Sequence, residues 1–276
     1  FPRGSLPLWA MTVQNEPAAR TVTWEACAYT AEEERDFVRD YLGPVLELNG
    51  LDIKILVWDH NRDDMLARAR VIYADPEAAR YTWGVAFHWY GDPRYERWPD
   101  KSGQLRFDNV LRVHELRPDK HLVMTEACQE GIPKADNWML AERYAENIIK
   151  DLSNWTEAWI DWNLILDETG GPNHKRNFCS APLLVDVKKD LVYVQPCYYY
   201  IGHFSRYVLP DAERVMCATN RDALESVAFA NTDGTLVVIV LNRTDRSIDF
   251  WLEMEGKAAP CYAPEHSIST FMLLID

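Results

Sequence analysis

The hydrophobic positions change texture once along the chain. Up to about residue 208, apolar runs of strand length alternate with amphipathic stretches of helical period, which predicts βα units around a parallel sheet. Leu8-Trp9-Ala10-Met11-Thr12-Val13-Gln14-Asn15-Glu16-Pro17 reads as a short buried strand that ends on Glu16. Thr30-Ala31-Glu32-Glu33 is a capping box opening a helix to about Leu48, closed by Asn49-Gly50. A strand from Ile53 to Trp58 and a helix from about Met65 to Ala74 follow, the helix stopped by Asp75-Pro76. Gly84 to Tyr90 is a strand with an aromatic and polar end. A helix over Asp108 to Leu116 precedes His121-Leu122-Val123-Met124-Thr125-Glu126-Ala127, a second buried strand that closes on a Glu. Beyond it the pattern predicts a helix over Asn137 to Leu152, a Trp-rich strand over Ala158 to Leu166, a Pro/Gly/Asn-rich loop from Gly170 to Asn177, a strand over Leu183 to Val187 and a helix around Cys197 to Phe204.

From about Asp211 the runs shorten. Leu224 to Ala230, Leu236 to Leu241, Ile248 to Met254 and Ile268 to Leu274 are β-rich and separated by Asp233-Gly234, Asp245-Arg246 and Glu255-Gly256. Such spacing predicts a small antiparallel β-sandwich. The expectation is therefore a partial (β/α)8 TIM-type barrel of about five βα units over residues 1–208, incomplete at its N-terminus because the full fold takes about 250 residues, and a β-sandwich domain over residues 209–276.

Composition narrows the function. The chain has 276 residues, 47% of them hydrophobic, enough for a sizeable core. Its formal net charge of -14 repels phosphate backbones and anionic headgroups, so no nucleic-acid partner is expected. No apolar run reaches the ~18 to 20 residues of a membrane span, so no stable membrane insertion is expected either. The six cysteines (27, 128, 179, 197, 217, 261) are scattered, which predicts buried free thiols rather than disulfides or a metal site. No phosphate-cradling loop, nucleophile elbow or dinucleotide fingerprint occurs, and hydrolysis without a cofactor fits best. Two N-glycosylation triplets, Asn154-Trp155-Thr156 and Asn242-Arg243-Thr244, are too common by chance to fix a compartment. A secreted or lysosome-like location is expected only if a signal peptide precedes Phe1.

The candidate chemistry lies at the strand ends. Glu16 and Glu126 occupy matching positions, and a carboxylate after an apolar strand is costly unless it has partners. Acids on one rim of a parallel barrel are where such folds do chemistry, and two carboxyl groups across a sugar are the machinery of glycoside hydrolysis. The eleven Trp and thirteen Tyr add rings near strand ends, among them Trp89, Tyr90 and Trp162. These either pack a core or offer flat faces to a pyranose. His88 has no second His or Cys at ligand spacing, so it is expected to orient a neighbouring side chain or a sugar hydroxyl rather than bind a metal.

Several ordered motifs resemble glycoside hydrolase family 30. They are Leu8 to Pro17, Phe87-His88-Trp89-Tyr90, Thr125-Glu126-Ala127-Cys128, Trp159-Ile160-Asp161-Trp162-Asn163 and Gly170-Gly171-Pro172-Asn173 with Arg176-Asn177-Phe178. Gln195-Pro196 with Gly202-His203-Phe204-Ser205 and the run Val237 to Arg243 continue the series. The resemblance covers essentially the whole chain. It implies that Glu16 is the acid/base and Glu126 the nucleophile of a retaining mechanism. It further implies that Asn15, Trp162 and Asn177 contact the sugar and that Tyr90 hydrogen-bonds the nucleophile. Retention would require Glu16 to hold a proton that it loses more readily once the glycosyl-enzyme has formed.

The family pattern carries three further βα units before the segment that begins here, and these supply an Asp and a Trp to the sugar pocket. An open five-stranded sheet would expose its first edge, so a second chain or self-association over that edge is expected. The leading expectation is a retaining β-glucosidase of the glucosylceramidase type acting on a β-glycoside. A β-1,6-glucanase, a β-xylosidase and a non-catalytic carbohydrate-binding remnant are the alternatives.

Overall fold

The structure, a computed structural model, describes residues 7–95, 105–131, 133 and 137–274. In chain order the elements are β1 (Ala10–Thr12), α1 (Ala31–Phe37), α2 (Gly43–Leu48), β2 (Lys54–Asn61), α3 (Met65–Tyr73), α4 (Pro76–Tyr81), β3 (Thr82–His88), α5 (Phe107–Leu116) and β4 (His121–Glu126). Then come β5 (Gln129–Glu130), α6 (Trp138–Ser153), β6 (Ala158–Trp159), β7 (Ile165–Asp167), β8 (Cys179–Ser180), β9 (Leu183–Asp186), β10 (Leu191–Val194) and α7 (Pro196–Ser205). The last six are β11 (Glu213–Val215), β12 (Leu224–Ala230), β13 (Thr235–Asn242), β14 (Ile248–Met254), β15 (Lys257–Ala263) and β16 (Ser267–Leu274). They fall into two compact units. Among the described residues, no helix is long and apolar enough to cross a membrane.

The first unit comprises residues up to 127 together with 154–162. Its sheet has five strands in the order β1-β2-β3-β4-β6, every neighbouring pair parallel, as the alternating pattern predicts for part of a (β/α)8 barrel. β2 and β3 are buried along almost their whole length, as central parallel strands must be. At Gly84 the two strands β3 and β4 leave no room for a side chain: a Cβ there would sit 2.3 Å from the carbonyl oxygen of His121. α1 starts as expected. Thr30 Oγ1 accepts the Glu33 N–H at 3.1 Å, and Glu33 Oε2 accepts the Thr30 N–H at 2.8 Å. A five-residue π-helical turn, Val38–Leu42, joins α1 to α2.

Three expectations need correction here. β1 is not a buried strand: it forms one edge of the sheet, and Trp9 is 57% exposed. Asp75-Pro76 ends α3 but also starts α4, because Asp75 Oδ1 accepts the N–H groups of Glu77 and Ala78 while proline stands at a first-turn position that needs no donor. Ala158 to Leu166 is not one strand. Only Ala158–Trp159 pairs with β4, and the chain resumes as β7 in a different sheet.

The second unit comprises residues 128–153 and those from 163 onward. β7, β9 and β10 make a three-stranded sheet, and β5 pairs with β8. The sandwich is built from the antiparallel sheet β11-β12-β13-β16 and the ribbon β14-β15. Leu224, Ala228, Leu236, Val238, Val240, Ile248 and Ala263 form its core. The Lys257–Ala263 strand escapes the hydrophobic pattern because Ala and Pro have little β preference, but Glu255 and Gly256 are both left-handed, as a two-residue hairpin turn requires. Of the cysteines, Cys128, Cys179 and Cys197 are buried as expected, whereas Cys217 and Cys261 are only half-buried and Cys27 is exposed.

Candidate active site

Four neighbouring strands of the first unit deliver acids and an imidazole to their C-terminal ends. Past β1, Glu16 adopts a left-handed backbone (φ 46) and donates its N–H to the Asp59 carbonyl at 2.9 Å. β2 is interrupted by a bulge: Trp58 pairs with Ala86 and His60 with Phe87, so Asp59 is left out of the ladder. Trp58 (φ 77) and Asp59 (φ 53) are both left-handed there, which is strained for non-glycine residues. β3 ends on His88 and β4 on Glu126, which face each other in register.

His88 is the hub of the cluster and is fully buried. Its Nδ1 lies 3.2 Å from Glu16 Oε1 and its Nε2 3.1 Å from Asp59 Oδ1. Nε2 is also 4.0 Å from Glu126 Oε2. The Tyr90 hydroxyl donates to Glu126 Oε1 at 2.9 Å, and the Thr125 hydroxyl donates to Asp59 Oδ1 at 2.6 Å. His60 Nε2 stands 3.7 Å from Glu16 Oε1. One carboxylate oxygen of Glu16, one of Glu126 and a ring nitrogen of His88 all lie within 4.8 Å of one another.

The charges explain the arrangement. Burial alone would lower the pKa of His88, but hydrogen bonds to Asp59 and Glu16 and the charge of Glu126 outweigh it and raise the value to about 10. The ring is therefore an imidazolium that donates from both nitrogens. Burial pushes Asp59 up, while His88 and the hydroxyls of Thr12 and Thr125 pull it down further, leaving it below its ordinary value. Glu126 is raised, first by burial and then by the negative charges of Glu16 and Asp59, with His88 and Tyr90 opposing. A cation could reach Glu16, His88 and Glu126 together, but both nitrogens of His88 are already committed to carboxylates as N–H donors. The donor set suits proton and charge management, not metal ligation.

Glu16, Asn15, His88, Trp89, Tyr90, Glu126 and Trp162 all belong to the first unit, whereas Asn177 belongs to the second. Asn15 is exposed beside Glu16. Trp162 is 44% exposed and donates its backbone N–H to the Ala127 carbonyl at 2.8 Å, which holds it one residue past Glu126. Of the two roles expected for each, His88 and Trp89 take the one inside the protein: both rings are fully buried, His88 orients the carboxylates, and Trp89 packs edge-to-face on Trp159 at 6.0 Å. Asn177 donates its N–H to Asn173 Oδ1 at 3.1 Å in its own loop. Asp59, His60 and Thr125 went unread in the sequence as members of the cluster. The signal available for the first two was three successive polar residues, Asp59-His60-Asn61, closing an apolar strand.

A model of the glycosyl hydrolase family 30 TIM-barrel domain matches residues 1–208, and one of the family 30 beta sandwich domain matches residues 211–271. Mouse lysosomal acid glucosylceramidase is 34% identical over 282 residues, covering 99% of this chain and 53% of that protein. Among solved structures, SrfJ from Salmonella typhimurium superposes with a TM-score of 0.87 at 32% identity, over 97% of this chain and 57% of that one. An endo-beta1,6-glucanase superposes with a TM-score of 0.81 at 26% identity, over 97% and 59%. The chain thus spans about half the length of the curated glucosylceramidase it matches, 53% of that protein.

Proposed function

The chain belongs to glycoside hydrolase family 30, and on that premise we propose that Glu16 and Glu126 are the acid/base and the nucleophile of a retaining β-glycosidase. The observation that carries this reading is the spacing of the two carboxylates, oxygen to oxygen within 4.8 Å. Retaining enzymes hold their carboxyl groups about 5 to 5.5 Å apart, whereas inverting enzymes need about 6.5 to 9.5 Å to admit a water between them. In the first step a Glu126 oxygen forms a bond to the anomeric carbon. The glycosidic C–O bond breaks, its electron pair stays on the departing oxygen, and that oxygen takes a proton from Glu16. In the second step Glu16 takes a proton from water, the water oxygen bonds to the anomeric carbon, and the Glu126 ester bond breaks. Tyr90 holds the attacking carboxylate in one orientation through the hydrogen bond to Oε1. Trp162 and Asn15, exposed beside the two acids, are the side chains available to meet the sugar.

The substrate of this reading is a β-glucoside with an apolar aglycone, of the glucosylceramide type, in keeping with the likeness to mouse glucosylceramidase. The likeness to an endo-beta1,6-glucanase supports a second reading, a β-1,6-glucan. We also propose that a second chain, or a second copy of this one, covers the β1 edge of the sheet. Incubation with a 2-fluoro β-glucoside inactivator, followed by intact mass and peptide mapping, tests the assignment. A single adduct on Glu126, absent in Glu126→Gln, is expected. Folded protein that takes up no adduct, or takes it up elsewhere, would overturn it.

A further inference from the structure

The bulge that carries Asp59 is strained and lies in the middle of a sheet, so something must hold it. Trp58 and Asp59 both sit in the left-handed region, and a buried backbone N–H at such a distortion needs an acceptor. That acceptor comes from a helix. Glu34, in the first turn of α1, is completely buried, and its Oε1 accepts the Trp58 N–H at 2.9 Å. Its other oxygen lies 3.2 Å from Nη1 of Arg68, a buried residue of α3. Arg68 in turn donates from Nη2 to the Tyr29 carbonyl at 2.9 Å and places its guanidinium 5.0 Å from the Trp58 ring centroid. The Trp58 ring is fastened as well, since its Nε1 donates to the Asn61 carbonyl at 2.9 Å.

We infer that Glu34 is a positioning residue for the acid/base, acting through the Trp58 N–H to fix the bulge from which Asp59 reaches Glu16. Two routes run from that bulge to Glu16. The Asp59 carbonyl accepts the Glu16 N–H at 2.9 Å, and the Asp59 carboxylate holds the His88 ring that contacts Glu16 Oε1. A movement of the bulge is therefore felt twice at Glu16, once at its backbone and once at its carboxylate. A carboxylate is a costly choice for a buried helix position, where leucine would pack freely. Burial pushes the Glu34 carboxyl up to about 7 despite the opposing Trp58 N–H and Arg68. The expense is explained if the position serves the bulge and not the helix.

The inference rests on Glu16 being the acid/base, and the test separates the two ideas. Glu34→Leu, Glu34→Gln and Glu16→Gln are compared with the unaltered full protein on two aryl β-glucosides. One has a leaving group good enough to depart without a proton, and the other has a poor one. Glu34→Leu should lose at least about tenfold in kcat/KM on the poor leaving group and much less on the good one, the signature of a displaced general acid. Glu34→Gln, which keeps an acceptor for the Trp58 N–H, should restore most of it. Equal losses on both substrates, or none, with the signature intact in Glu16→Gln, would overturn the role of Glu34 alone. No signature in Glu16→Gln would overturn both. If Glu34→Leu does not fold, Arg68→Met takes its place, with a smaller loss of the same selectivity expected. A readout without turnover is the NMR titration of His88. The ring should titrate at lower pH in Glu34→Leu but not in Glu34→Gln, and an unchanged titration in the former would overturn the link.

Discussion

His88 stands 3.2 Å from Glu16 Oε1, with its whole ring out of contact with solvent. A buried imidazolium survives because it is shared among carboxylates, and that sharing is also a store of stability. Its pKa is about 10 in the folded protein against an ordinary 6.5. The unfolded chain releases this proton first as pH rises. The stabilisation is therefore complete below pH 6.5, declines between there and about 10, and is gone above. Urea unfolding of wild type and His88→Gln across that range should show the gap between them narrowing as pH rises. A gap independent of pH would refute the imidazolium.

On the proposed assignment, Glu126 and Tyr90 set the acid limb of the pH–rate profile. A nucleophilic Glu126 would have to be ionised to attack, and burial first, then neighbouring negative charge, raises its pKa. Activity should therefore fall off on the acid side at a higher pH than an ordinary glutamate would set. The Tyr90 hydroxyl favours the ionised form, so Tyr90→Phe should move this limb to still higher pH and lower kcat/KM by about 10- to 100-fold, the worth of a hydrogen bond to a charged group. A limb that stays put or moves down would show that the profile reports another group.

Asn242 lies in an N-glycosylation triplet yet cannot carry a glycan. It is fully buried, and its Nδ2 donates to the carbonyls of Arg246, Ala263 and Pro264 while Oδ1 accepts from the backbone and hydroxyl of Thr244. Expression in a glycosylating host should leave it unmodified by mass. Asn242→Ala should destabilise the sandwich by about 2 to 4 kcal/mol, because several carbonyls lose their donor at once.

Thiol labelling should separate the cysteines sharply. Native protein treated with iodoacetamide should be alkylated quickly at Cys27, and at Cys128, Cys179 and Cys197 only on unfolding. Within the second unit, Cys128 and Cys179 have their sulfurs 3.2 Å apart. Mild oxidation should therefore link these two before any pair involving Cys27, as a non-reducing peptide map would show.

Much of this site could be read from the chain. Glu16 and Glu126 stand out because an acid closing an apolar strand needs a reason, and the capping box at Thr30 and Glu33 is a local pattern with a local geometry. That the sheet is parallel follows from the alternation of strands and helices. What the chain could not reveal is how β2 departs from regularity. Nothing in Trp58-Asp59 announces two left-handed residues in mid-strand, yet that bulge brings Asp59 to His88 and makes a basic, fully buried ring stable. Glu34 looks like one more acid on a polar helix surface, beside Glu32 and Glu33. Only packing against β2 reveals that it faces inward and holds a backbone N–H. Sequence determined which residues end the strands, because burial and period act over a few neighbours. The tertiary structure decided which of them share a proton, because that depends on distances of 3 to 4 Å between groups up to 72 residues apart, and no local propensity encodes those.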